Sequence, residues 1–226
     1  MEKIILPDSV TVIDKRAFEH CDGLREIHFP VGLKKIDDWA FAWCVRLEEI
    51  YLPEGLVEIG GWAFEGCRGL TKIHLPDSLT KIGDSAFSDC NVLTEINLPK
   101  GLTSISEGTF WGCRDLTEIH LPNGLTSIGA EAFGFRDCIN LMKIHLPDSL
   151  TRIGNGSFLG CNNLTEIHLP DNLTEIGWTA FAGCSGLTEI HLPAGLTYIE
   201  MNTFYNCDGL KKIHYYTDTE PIIEEC

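Results

Sequence analysis

Proline falls at positions 7, 30, 53, 76, 99, 122, 147, 170 and 193, and cysteine at 21, 44, 67, 90, 113, 138, 161, 184 and 207. Both series advance by 23 residues, with a single step of 25. A fixed period of this length specifies a solenoid, in which each repeat buries its apolar face only against its neighbours. One unit alone orders too much backbone around too few apolar side chains to fold. Stacking buries both flat faces of each coil and supplies the missing contacts.

The stretch Leu70–Val92 displays the unit. Its apolar positions are Leu70, Ile73, Leu75, Leu79, Ile82, Ala86, Phe87 and Cys90, and each recurs along the chain. Thr71-Lys72-Ile73-His74-Leu75 alternates polar and apolar residues, the period of a half-buried strand. Proline lacks an N–H and closes the strand. The Asp, Gly or Ser residues after it read as a turn. Leu79–Gly83 reads as a second, shorter extended piece, and Ala86–Cys90 as a single helical or 3₁₀ turn on the outer side. The phenylalanine series reads Phe18, Phe41, Phe64, Phe87, Phe110, Phe133, Phe158, Phe181 and Phe204. On that assignment the two extra residues of the long step form an outer bulge between Phe133 and Cys138, with an exposed Phe135 anchor as the alternative.

The segment Leu93-Thr94-Glu95-Ile96-Asn97-Leu98 resembles the L-x-x-I-x-L strand of leucine-rich repeats. The longer pattern L-x-x-I-x-L-P-x-x-L-x-x-I-G-x-x-A-F-x-x-C resembles the BspA-like, or Treponema-type, subclass over residues 1–215. The resemblance implies an α/β solenoid of about nine 23-residue coils with a parallel sheet on its concave face. It also implies a non-enzymatic scaffold that engages host or matrix proteins at microbial surfaces. One departure stands out. Ordinary leucine-rich repeats carry an Asn or Cys ladder just after the strand, where this chain has Ser9, Gly32, Gly55 and Ser78. The later cysteine ladder is read as taking over that buried role. Residues 216–226 read as an acidic tail or cap.

The formal net charge of −16 opposes nucleic acid and anionic lipid as partners. No apolar run approaches the ~20 residues that span a bilayer. No signal peptide is visible, since Met1–Pro7 already belongs to the repeat. A secreted or surface location rests on the resemblance alone. Cysteines without a C-x-x-C pair read as buried free thiols, with Cys226 in the tail as the reactive exception. The first strand begins without a capping unit, so self-association through this N-terminal end is the rival to partner binding.

The most unusual polar feature is a histidine row. His28, His74, His120, His145, His168, His191 and His214 share one repeat position, which Tyr51 and Asn97 fill elsewhere. Alternation places that position on the open sheet face, beside the charge row that contains Lys72. The plain reading is a solvated face repeated by duplication. The functional reading is a surface for a protein or peptide partner, carried by Tyr51, Lys72, His74, Asn97, His120, His145, His168, His191 and His214. A row of parallel histidines lacks a tetrahedral cluster, so no metal site is assigned, and no cofactor. Trp39, Trp43 and Trp62 suggest a lateral patch. No nucleophile elbow, P-loop, dinucleotide fingerprint or H-E-x-x-H motif is present, and no catalytic residue is assigned.

Overall fold

The computed structural model describes residues 2–132, 134–216 and 221–225, with the backbone alone at 130–132, 216 and 221–225. Each coil contributes a three-residue strand of the kind Lys72–His74 and then a two-residue strand of the kind Lys81–Ile82. The first set runs from Lys3–Ile5 to Lys212–Tyr216 and the second from Val12–Ile13 to Tyr198–Ile199. Coil-to-coil pairing is parallel, with equivalent residues in register: Ile50 faces Ile73, and Ile59 faces Ile82. The second strands join into runs of four and five, whereas the first strands pair two by two. The last of the first strands also pairs antiparallel with Pro221–Glu225.

Between the two strand sets lies a core of aligned rows. Leu70, Ile73, Leu79, Phe87 and Cys90 are buried, and their equivalents in neighbouring coils are buried with them. The phenylalanine rings stack from Phe18 to Phe204 with centroids 5.0–5.8 Å apart. The ring that bridges Phe110 and Phe158 is Phe135, at 5.4 Å from each and fully buried. This corrects the expected ladder and removes Phe135 as an exposed anchor. Phe133 lies outside the described residues. The two extra residues are absorbed earlier, in the strand Ser127–Ala132, where pairing with Arg152–Asn155 shifts between Ile128 and Ala132. Phe135 thereby keeps the three-residue spacing to Cys138 that Phe110 keeps to Cys113.

The solenoid is all-β rather than α/β, because no helix occurs among the described residues, and so none long and apolar enough to cross a membrane. The segment expected to be a helical turn has alternating backbone handedness instead. Ser85 and Asp89 have φ of 52° and 55°, and Trp62 and Gly66 hold equivalent places one coil earlier at 54° and 66°. A left-handed residue breaks the helical repeat, and it turns every second N–H toward the next coil. Ser85, Phe87 and Asp89 donate to the carbonyls of Glu107, Thr109 and Trp111 at 2.7–3.0 Å. The intervening Ser88 and Cys90 N–H groups bond locally to Ser85 and Phe87. The backbone polar groups at this corner are thus satisfied between coils, as burial demands.

Side chains complete the same accounting. Each cysteine from Cys44 to Cys207 donates its S–H to a phenylalanine carbonyl of the preceding coil, as Cys90 does to Phe64 at 3.2 Å. The cysteine row does hold a buried hydrogen-bonding role. Threonines do the same on the opposite edge, where Thr126, Thr151, Thr174 and Thr197 each donate to the carbonyl one coil back at 3.0–3.2 Å. Gly83 belongs to a tight row, because a Cβ there would stand 2.5 Å from the Gly61 amide nitrogen.

Two outcomes follow from this packing. Phe87→Ala removes a fully buried ring flanked on both sides, and should cost about 3–5 kcal/mol in chemical denaturation; an unchanged midpoint would place Phe87 outside the stack. Burial holds the thiols from Cys44 to Cys184 protonated and pushes Cys44 up to about 12, with Cys21 beside it adding to the shift. The cysteines from Cys44 to Cys207 should therefore resist thiol reagents until denaturation. Cys21, expected to be buried, is only half-buried and should react in the native state; Cys226 lies outside the described residues.

Candidate functional site

The strand period makes one face of the first sheet. Ile73 points into the core while Lys72 and His74 point out, and the pattern exposed–buried–exposed repeats from Glu26–His28 to Glu189–His191. Tyr51, Lys72, His74, Asn97, His120, His145, His168 and His191 are exposed, and His214 is half-buried. Register brings them together in pairs: Tyr51 with His74, Asn97 with His120, His145 with His168, and His191 with His214. Tyr51 and His214 lie seven coils apart and cannot act on one small ligand. The face works as a row rather than as a pocket.

Its electrostatics come from a glutamate in most coils. Lys3 pairs with Glu26 at 2.9 Å, Lys72 with Glu95 at 3.4 Å and Lys143 with Glu166 at 3.1 Å. The ring row meets the same carboxylates. Glu26 meets His28 at 2.6 Å, Glu118 meets His120 at 3.4 Å, and Glu49 reaches across to His74 at 3.2 Å. The Tyr51 hydroxyl donates to Glu49 at 2.8 Å, and its ring stacks on His74 with centroids 4.3 Å apart. These hydrogen bonds, Tyr51 first and His74 second, hold the Glu49 carboxyl below its ordinary range. The same bond raises the Tyr51 phenol. Lys3, then His28, lower Glu26 in the same way. All these groups are solvated, so the pairs orient side chains more than they stabilise the fold.

Shallow grooves cross the face where neighbouring first strands are not laddered. One of about 470 Å³ lies between His120 and His145, lined also by Thr117, Glu118, Met142 and Lys143. Another of about 420 Å³ lies between His168 and His191 and includes Glu166 and Glu189. A third of about 540 Å³ lies between His28 and Tyr51 and includes Arg25 and Phe29. Sequence reasoning named neither Met142 nor Arg25; the exposure of Met142, at 53%, is visible only once its place at a groove edge is known.

On the turn side, Trp39 and Trp62 stack at 4.7 Å, with Lys15 and Arg16 over Trp39 at 4.5 and 5.1 Å. Trp43 stacks with His20 at 6.3 Å and carries Arg68 at 5.0 Å. The ring faces of this lateral cluster are taken up by one another and by these cations. The rings cover backbone in left-handed conformation, since Trp39, Trp43 and Trp62 have φ of 54–62°.

The repeat has counterparts in known proteins. Residues 1–92, 38–135 and 134–226 each match the BspA-type leucine-rich repeat region. The chain belongs to this family. A leucine-rich repeat protein from Bacteroides ovatus is similar at 35% identity and a TM-score of 0.85, over 95% of this chain and 55% of its own length. The chain thus spans little more than half of that protein. The Treponema pallidum protein TpLRR is 32% identical with a TM-score of 0.66, over 73% of this chain and 78% of its own. A leucine-rich cell surface protein from Faecalibacterium prausnitzii, 24% identical with a TM-score of 0.53 over 97% of this chain and 80% of its own, shares the fold. No curated protein matches the sequence.

Removing one hydroxyl tests the local electrostatics. In Tyr51→Phe the Glu49 carboxyl loses its main donor, so its midpoint, read by carbon-detected NMR, should rise toward the ordinary carboxylate value. A lowered carboxyl stabilises the folded state above its unfolded midpoint, and that contribution is lost as pH falls through the folded one. The variant should therefore lose stability near neutral pH and not below the folded midpoint. An unmoved Glu49 midpoint would dismiss the bond.

Proposed function

We propose that the exposed face of the first sheet binds a protein or peptide, and that this chain is a scaffold rather than an enzyme. The observation that carries the reading is the in-register row of Tyr, Asn and His side chains held in the open by strands whose backbone is already hydrogen-bonded. Extended repeat surfaces suit extended partners. The buried hydroxyls do not resemble a nucleophile with its base: Thr109, Ser157 and Thr203 donate to backbone carbonyls of Ser106, Gly154 and Glu200 at 2.7–2.9 Å. Nucleic acid is a poor partner for a chain with net charge −16.

The face also sets the partner's charge. Glu26, Glu49, Glu95, Glu118, Glu166 and Glu189 outnumber Lys3, Lys72, Lys143 and Lys212 in the same row. A contact segment rich in Lys or Arg would gain on-rate from the surrounding acidic field and lose it as salt rises. The grooves between His120 and His145 and between His168 and His191 would take its larger side chains.

A second reading has its own observation. The N-terminal end presents an apolar hollow of about 320 Å³ lined by Ile4, Phe18, Cys21 and Leu24, which another coil could cover. Light scattering across concentrations separates the two readings, since a monomer throughout removes self-assembly by this end.

The binding face is tested by selecting peptides from a random library on the immobilised protein. Enriched peptides should be basic. Their affinity should fall at least about tenfold, ~1.4 kcal/mol, when His120, His145, His168 and His191 are together changed to Ala, with an unchanged melting curve. Trp39→Ala should bind them normally. Equal binding by the quadruple variant would move the site off this sheet.

A further inference from the structure

The histidine row is uniform in sequence but not in geometry, and its last pair differs from the others. His191 and His214 stand in register with rings stacked at 4.0 Å. Glu189, two residues before His191 on the same face, reaches diagonally to His214, where its carboxylate lies 3.5 Å from Nε2. At the other in-register histidine pair, His145 and His168, the two charges stand in the reverse order, with Lys143 before the first histidine and holding Glu166 at 3.1 Å. Lys212 faces Glu189 in register, but the ion pair seen for Glu189 runs to His214 instead. The His214 side chain is 16% exposed, and its Nε2 is buried with no hydrogen bond among the described residues. Such a nitrogen has lost water and has only a carboxylate at 3.5 Å in return, which is costly unless something fills the place.

We infer that Glu189, His191 and His214 form a binding site for a divalent transition-metal ion of the zinc class. One donor atom from each residue lies within 4.8 Å of the others, the one such grouping among the described residues. Two neutral imidazoles and a carboxylate are a donor set that zinc, copper and nickel accept, and calcium or magnesium do not prefer. Tetrahedral zinc with bonds near 2.0–2.2 Å wants donors roughly 3.3–3.5 Å apart. Glu189 and His214 already stand at that separation, and the exposed His191 ring needs only to swing off the stack. Lys212 is the nearby cation that an ion must displace from the carboxylate's surroundings.

An ion held this way would do two things. It would tie the last two coils together, since Glu189 and His191 belong to one and His214 to the next. It would also keep one coordination position open at the end of the proposed binding face, because three protein ligands leave zinc a fourth. The site does not depend on the peptide reading, and zinc alone tests it.

The test is calorimetric titration of zinc into protein stripped with chelator and treated with iodoacetamide, so that accessible thiols do not compete. One equivalent should bind and raise the melting temperature. Glu189→Gln and His191→Gln, both at exposed positions, should each weaken binding about tenfold or more and abolish the thermal shift. His168→Gln should bind as the parent does. Because His214→Gln could disturb the terminal coil, cobalt(II) spectra of the parent provide the second measurement: imidazole and carboxylate ligation without a thiolate charge-transfer band supports the site. Absence of binding at millimolar zinc, equal binding by the Glu189 and His191 variants, or a thiolate band would each overturn it.

Discussion

The interaction on which everything else rests is the hydrogen bond from one coil's peptide group to the next coil's carbonyl. A 23-residue unit has no interior of its own. Where Ser85, Phe87 and Asp89 send their N–H groups to Glu107, Thr109 and Trp111, backbone that would be an orphaned corner in a globular domain becomes part of a ladder. The ring stack, the cysteine row and the threonine edge are side-chain continuations of that ladder at the same spacing. Stability is therefore shared between nearest neighbours, and damage at one coil weakens the contacts on either side of it.

The same ladder explains the character of the binding face. Strand backbones that satisfy one another leave their outward side chains without structural duty. The glutamates and rings pair locally, at distances such as 2.6 Å for Glu26 and His28, which narrows their rotamers without burying them. A partner then meets a partly organised surface and loses less entropy in ordering it. The pairwise register of the first strands divides this surface into modules, with grooves between them.

Much of this was legible in the sequence. Alternation in Thr71–Leu75 identified both the core face and the solvent face, and the 23-residue rows named the buried Leu, Ile, Phe and Cys positions. The helical turn was wrongly expected because left-handed φ leaves no mark on a residue such as Trp39 or Thr179. A signal did exist: glycine occupies the same two columns at Gly108, Gly112, Gly156 and Gly160, each with positive φ. The 23-residue step from Phe110 selects Phe133 for the ring ladder, whereas the three-residue spacing to Cys138 selects Phe135. At the site, exposure followed from period, but partner choice did not. Whether a glutamate turns to lysine, tyrosine or histidine depends on diagonal geometry across coils, so the approach of Glu189 to His214 leaves no mark in the sequence.

The irregular strand Ser127–Ala132 has a consequence for how such chains change length. Two additional residues enter there, yet Phe110, Phe135 and Phe158 keep their 5.4 Å spacing and Cys138 still reaches the Phe110 carbonyl. The corner acts as an expansion joint, taking up length on one edge while the stack beyond it keeps its phase. Foreign loops grafted at this corner would be carried on the outside of an undisturbed column, so the fold can acquire new surface without renegotiating its interior.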